Sequence, residues 1–140
     1  MAPAESAPPV VAVVVTTDPG DWFEECLRSL GAQRYPNLSV LVVDTASAAD
    51  PGARVASILP EAHVRRLPGR VGFGQAANEV LRLVEGAALY LFCHDDVVLA
   101  PDATRLLVEE AYRSNAGITS PKFVRWDDPS RLVAVGAGAD

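Results

Sequence analysis

The stretch "VVAVVVTTDPGD", Val10 to Asp21, opens with an almost continuous β-branched run that stops at Asp18, Pro19 and Gly20. A strand with one wet face alternates apolar and polar residues. This one does not, which is the pattern of a strand covered on both faces. Covering both faces of a sheet takes helices on each side, so the rest of the chain should alternate strands with helical crossovers. Phe23, Cys26, Leu27 and Leu30 recur at helical spacing after Asp21, which can cap them, and Gly31 with "YPN" closes the segment. "LSVLVVD", Leu38 to Asp44, repeats the buried-strand pattern, and "TASAADPG" leads into a short helix over about Ala53 to Leu59. "HVRRL" reads as a polar, peripheral strand. Beyond "PGRVGFG", Ala77, Val80, Leu81 and Val84 form a helical stripe ended at Gly86, and "AALYLFC" supplies a fourth strand. Pro101 and Asp102 start a helix with Ala103, Leu106, Leu107 and Ala111 on one side, and "GITSPKFV" reads as a fifth strand. The order βαβαβαβαβ predicts an α/β fold, a mainly parallel sheet flanked by helices on both faces and wound by right-handed connections.

The bulk properties narrow the function classes. The chain has 140 residues, enough for one domain, with 49% hydrophobic and 21% charged residues and a net charge of −6. That charge argues against nucleic acid, whose phosphates need a clustered basic field. No apolar run approaches the ~20 residues of a membrane span. Residues 1–9, "MAPAESAPP", read as a flexible leader without the basic and apolar regions of a signal peptide, so the domain is expected over residues 10–140 and in the cytoplasm. If the full-length protein has membrane segments, it would sit at their cytoplasmic face. Cys26 and Cys93 lie in apolar patterns without CxxC spacing and read as buried, reduced thiols.

Open α/β sheets bind ligands at the carboxyl ends of their strands. Here those ends are mostly acidic: Thr16, Thr17 and Asp18 end the first strand, Asp44 the second, and His94, Asp95 and Asp96 the fourth. A lone aspartate after a strand is often a turn former or cap. The adjacent Asp95 and Asp96 repel each other, however, and a hard divalent cation with oxygen ligands, Mg²⁺ or Mn²⁺, would relieve them and bridge to a diphosphate. His94 reads as an orienting residue rather than a ligand. A rival pattern, G-x-G-x-x-A at Gly72, Gly74 and Ala77, has Asp95 near the ~20-residue offset of a dinucleotide site. It follows a polar strand and "PGR", whereas that fingerprint needs a tight turn off a buried strand, so the glycines read as helix-packing positions. "RWDDP", Arg125 to Pro129, reads as a solvated turn.

Four blocks together resemble the N-terminal half of the family 2 glycosyltransferases, with their Rossmann-like GT-A nucleotide-binding half. "VVVTTD" is similar to that family's V-V-I-P-T-Y-N, and "SLGAQRYPNLSVLVVDTAS" to its S-L-x-x-Q-x-Y-P-N-x-E-I-I-V-V-D-N-x-S. "GRVGFGQAANEVL" looks like N-x-G-x-x-x-A-x-N, and "LYLFCHDDVVLAPDA" like a D-x-D strand end followed by L-x-P-D. The resemblance implies transfer of a sugar from a nucleotide diphosphate sugar donor to an acceptor that the sequence does not specify. Thr16 and Asp18 would then sit beside the nucleoside, and Asp44 would hydrogen-bond the base. Asp95 would meet the ribose or the metal, and Asp96 would be the principal metal ligand.

The departures matter as much. His94 stands at the first acidic position, Val15 and Thr17 replace a usual proline and an aromatic or small residue, and Arg70 replaces a common asparagine. The resemblance also implies that the base activating the acceptor comes from a second half of the domain, beyond Asp140, so no catalytic residue is identifiable within the chain. A non-catalytic nucleotide-binding or interaction module is the alternative.

Overall fold

In the computed structural model, which describes residues 7–135, the Val10 run is the centre of the molecule. Strand β1 (Val10–Thr16) pairs in parallel with β2 (Leu38–Thr45) on one side and with β4 (Leu89–His94) on the other, and β3 (His63–Leu67) adds to β2. The sheet order is β3-β2-β1-β4, all parallel. The continuous apolar character of β1 has the predicted cause, because each face of that strand meets a separate cluster.

On one face Ala12, Val14 and Val42 pack with Phe23, Cys26, Leu27 and Leu30 of α1 (Phe23–Gly31) and with Val55 of α2 (Gly52–Ile58). On the other, Val11, Val13, Leu41 and Val43 pack with Ala76 of α3 (Phe73–Ala77) and Val80 of α4 (Val80–Leu83). Val13, Val14, Val42 and Val43 are wholly buried, each contributing about 1.5–3 kcal/mol relative to exposure. Where α1 crosses α2, Gly31 permits close approach, since a Cβ there would stand 2.9 Å from Leu59 Cδ2.

Several expectations are corrected. The fifth strand does not join the sheet. It is β5 (Lys122–Val124), three residues long, in an antiparallel hairpin with β6 (Leu132–Val135), whose turn is the expected "RWDDP" segment. Phe123 and Val124 are exposed, so neither burial nor crossover geometry draws this strand into the parallel sheet. The stripe from Ala77 to Val84 is two short helices interrupted at Asn78 and Glu79. Asp21 does not cap α1; Trp22 takes the N-cap position without a side-chain bond. Helix α5 (Ala103–Ser114) buries Thr104 and Val108 and leaves Leu106 exposed, because it is anchored by Thr104. Gly72 and Gly74 have nothing within 4 Å of an added Cβ, so close packing is not why they are glycine.

Of the leader, residues 1–6 lie outside the described residues, and so do residues 136–140 at the other end. Residues 7–9 are tied down: Tyr35 Oη donates to the Pro8 carbonyl at 2.5 Å, Asn37 Nδ2 to the Ala7 carbonyl at 2.9 Å, and the Ala88 N–H to the Pro9 carbonyl at 2.8 Å. Among the described residues no helix is long and apolar enough to cross a membrane.

Candidate functional site

Parallel pairing puts the ends of β1, β2 and β4 side by side. Thr16 is in register with Asp44, and Val15 with His94. Thr16 Oγ1 donates to Asp95 Oδ2 at 2.6 Å and links two strand ends that are 79 residues apart in sequence. Asp95 is half-buried and Asp96 exposed. No described arginine or lysine pairs with either, although the other strand-end acids are paired.

Asp44 is buried completely. Its cross-strand neighbour is Arg66, whose Nε donates to Asp44 Oδ2 at 2.9 Å, while Ser47 donates its hydroxyl proton to Oδ1. Arg66 also donates to the Ser47 carbonyl at 2.5 Å. Each carboxylate oxygen thus has a donor within the protein, Ser47 on Oδ1 and Arg66 on Oδ2. Arg66 and Ser47 were not legible as site residues, because the "HVRRL" pattern marks only a polar edge strand; the register with Asp44 gives one of its arginines a buried partner.

Asp18 gathers three loops. Its N–H donates to Ser47 Oγ at 2.7 Å, its Oδ1 accepts from the Ala48 N–H at 2.8 Å, and its Oδ2 accepts from Arg70 Nη2 at 2.7 Å. Asp18 and Ala46 have φ of 46° and 54°, the left-handed region that side chains rarely adopt. Such backbone is held only where surroundings over-determine it, and here the Ser47 and Ala48 bonds do so. Arg54 of α2 clamps the loop from below: it donates to the Pro19 and Gly20 carbonyls at 2.9 and 2.8 Å and pairs with Glu24 through two nitrogens. The Arg54 hydrogen bond holds the Glu24 carboxyl below the usual range.

Beside these acids a pocket of about 250 Å³ opens between Thr17, Thr45, Val71, Phe73, His94 and Asp95. The rings of Phe73 and His94 lie 4.4 Å apart, tilted by 32°, and form its aromatic wall. Small-molecule sites usually span about 300–1,000 Å³, so this one has the size of a single ring system. A larger depression of about 860 Å³ lies at the opposite edge, where Val10, Leu38 and His63 begin their strands. It contains none of the strand-end acids, and the ligand edge of such a sheet is the carboxyl one.

Beyond β4 the loop carrying Asp96 is fixed by Gln33. Its Nε2 donates to the Ala100 carbonyl at 2.8 Å, and its Oε1 accepts from Thr104 N and Oγ1 at 2.9 and 2.7 Å. Ser29 Oγ accepts from the Leu99 N–H at 3.1 Å. The cysteines carry no chemistry here. Both are free and buried, and burial pushes the Cys26 thiol up to about 12 and that of Cys93 to about 11.

No group of three or more His, Cys, Asp or Glu side chains gathers among the described residues. An all-protein metal cage is therefore not what the acids build. Asp95 and Asp96, adjacent hard oxygen donors without a described cationic partner, would suit a Mg²⁺ or Mn²⁺ ion that takes its remaining ligands from phosphates and water.

The parallel sheet, the acidic carboxyl edge and the ring-sized pocket define an α/β domain whose candidate site lies at the carboxyl ends of its strands. The chain belongs to glycosyl transferase family 2, whose family pattern matches residues 11–135. It is 30% identical over 125 residues to the uncharacterized protein MT1568 of Mycobacterium tuberculosis, covering 87% of this chain and 39% of that one. In fold it is similar to residues 1–349 of S. aureus TarS in complex with UDP-GlcNAc, with a TM-score of 0.66 at 22% identity over 76% of this chain and 32% of that one. It is similar also to the mannosyltransferase PcManGT from Pyrobaculum calidifontis in complex with GDP-Man and Mn²⁺, with a TM-score of 0.65 at 27% identity over 77% of this chain and 33% of that one. The chain thus spans 39% of the matched MT1568 and about a third of these two structures. Family and fold confirm the α/β expectation and remove support from the dinucleotide reading of Gly72 and Gly74.

Proposed function

We propose that this chain is the donor-binding part of a metal-dependent glycosyltransferase, which transfers a sugar from a nucleotide diphosphate sugar to an acceptor. The observation that carries the reading is the carboxyl edge. There Thr16 holds Asp95, which lines a ring-sized pocket, and Asp96 beside it in the chain is exposed without a described cationic partner. The nucleotide sugars bound by TarS and PcManGT are the relatives' donors and support the same class here.

In this reading the pocket takes the heterocycle. Asp95, oriented by Thr16, faces the ribose, and Asp96 with Asp95 holds a divalent cation. That cation would offset the charge of the diphosphate leaving group. Arg54, Ser47 and Asp18 keep the loop after β1 in place, so the chain's own work is to orient the donor before transfer. No residue of this chain is assigned as the base for the acceptor hydroxyl.

Calorimetry of the chain with uridine and guanosine diphosphates, with and without Mn²⁺, tests this. Binding that strengthens with Mn²⁺ is the expected result. No nucleotide binding at millimolar concentration overturns the reading.

A further inference from the structure

We infer that Trp22 and Trp126 form a stacking platform for a neutral saccharide, and that the sugar of the acceptor is what lies there. The acceptor role rests on the transferase reading above; the platform itself rests on the two side chains. They are the only tryptophans in the chain. Trp22 ends the loop after β1, just beyond Asp18, and Trp126 stands in the turn between β5 and β6. The fold brings the two rings to 6.4 Å between centroids at an interplanar angle of 70°, yet leaves the residues 54% and 48% exposed. Single apolar residues scattered over a surface are ordinary. Two indoles gathered from distant segments and both left half in solvent are not, because each such ring buries about 150–250 Å² when it is packed.

Both indoles are held before any ligand arrives. Arg54 donates to the Pro19 and Gly20 carbonyls at 2.9 and 2.8 Å, and the Trp22 ring lies along Gly20, where an added Cβ would stand 3.8 Å from Cε3. In the turn the Arg125 N–H donates to the Arg131 carbonyl at 2.9 Å, and the Arg125 guanidinium forks onto both Asp127 oxygens at 2.9 and 2.8 Å. Rings fixed in this way lose little freedom on binding. Their chain neighbours are the exposed Asp21, Arg125 and Asp127. That combination selects the ligand. One face of a pyranose ring carries C–H groups of positive polarity, which lie well on the negative face of an indole, and its rim carries hydroxyls that donate to carboxylates and accept from a guanidinium. A nucleotide or an anionic lipid would instead be repelled by Asp21 and Asp127, in a chain of net charge −6. Neither tryptophan lines the pocket beside Asp95. Of the two substrates of a sugar transfer, the donor carries a diphosphate, so the neutral sugar on the platform is the acceptor's.

Because the chain has no other tryptophan, its intrinsic tryptophan emission reports this site alone. The 140-residue chain is titrated, without nucleotide or metal, with maltose, cellobiose, mannobiose and galactobiose, and with sorbitol, which has the hydroxyls but no ring face. A saturable change in emission with at least one disaccharide at millimolar concentration, and none with sorbitol, is expected. Trp126→Ala should weaken that binding at least about fivefold, with Trp22 as the remaining reporter, and Trp126→Phe should recover part of it. Trp126 is exposed in a turn and belongs to neither core cluster, so the change spares the packing of the sheet. No saturable response to any disaccharide overturns the inference, as does equal binding by Trp126→Ala. An emission shift that follows protein concentration or phosphatidylcholine vesicles, without a response to sugar, gives the indoles to a second copy or a membrane and overturns it too. Parallel calorimetry with uridine and guanosine diphosphates and Mn²⁺ separates the readings. Disaccharide binding without nucleotide binding keeps the platform and overturns the donor reading with the acceptor role; nucleotide binding without disaccharide binding keeps the donor reading and overturns the platform.

Discussion

Thr16 at the end of β1 and Asp95 at the end of β4 are joined by a hydrogen bond of 2.6 Å across the central strand pair. The bond engages one carboxylate oxygen of Asp95, and no described bond engages the other. The hydroxyl that orients this carboxylate is itself buried. Removing that hydroxyl with Thr16→Val should weaken Mn²⁺-dependent nucleotide binding roughly three- to tenfold, the effect of one hydrogen bond worth about 0.5–1.5 kcal/mol. Asp96→Asn should lower the Mn²⁺ enhancement by more than tenfold and leave metal-free binding in place. Titrations with and without chelator check both; equal Mn²⁺ enhancement in Asp96→Asn would remove Asp96 from the metal site.

Arg66 should matter to stability more than an edge-strand arginine normally does. Arg66→Met leaves buried Asp44 with Ser47 alone. Breaking a wholly buried pair costs about 3–5 kcal/mol; the Arg66 side chain is 39% exposed, so a loss of about 2–3 kcal/mol is expected. Urea unfolding measures it, and a loss below about 0.5 kcal/mol, the range of ordinary surface substitutions, contradicts the role given to the pair.

Gln33 holds the loop after β4 to α1 and α5. Gln33→Ala strands the Thr104 N–H and the Ala100 carbonyl, and should cost about 1–3 kcal/mol. Amide hydrogen exchange should rise in α5 and around Leu99 before it rises in β1. Uniform exchange across the chain would contradict a local role.

The thiols make stability fall in alkali. Folded Cys26 and Cys93 keep their protons to about 12 and about 11, against the ordinary thiol value of 9.0. From about pH 9 upward the unfolded chain therefore releases protons that the native chain retains, and stability declines by up to about 1.4 kcal/mol per pH unit for each thiol until its native value is reached. Urea midpoints at pH 8 and pH 10 show the decline. It should be shallower in Cys26→Ala/Cys93→Ala, and an unchanged slope in that variant assigns it to other groups.

Phe73 and Thr45 show why the site was only partly readable. The acids announce themselves because a carboxylate at the end of an apolar run is conspicuous, and Thr16, Asp18, Asp44 and Asp95 do converge on one edge. Phe73 sits among glycines, and its contact with His94 depends on where α3 lands on the sheet. Asp44 was legible as a strand-end acid, yet its partner Arg66 lies 22 residues away.

The sequence by itself determined the parallel sheet, the two covered faces and the acidic carboxyl edge, because burial periodicity and strand ends are local properties of the chain. Only the tertiary structure decided which of the acids pair with an arginine. Strand register and the side each residue takes are set by pairing between distant segments, and a shift of one residue exchanges the two faces. The same dependence left β5 outside the sheet: a short run that pairs with its neighbour β6 satisfies its backbone locally.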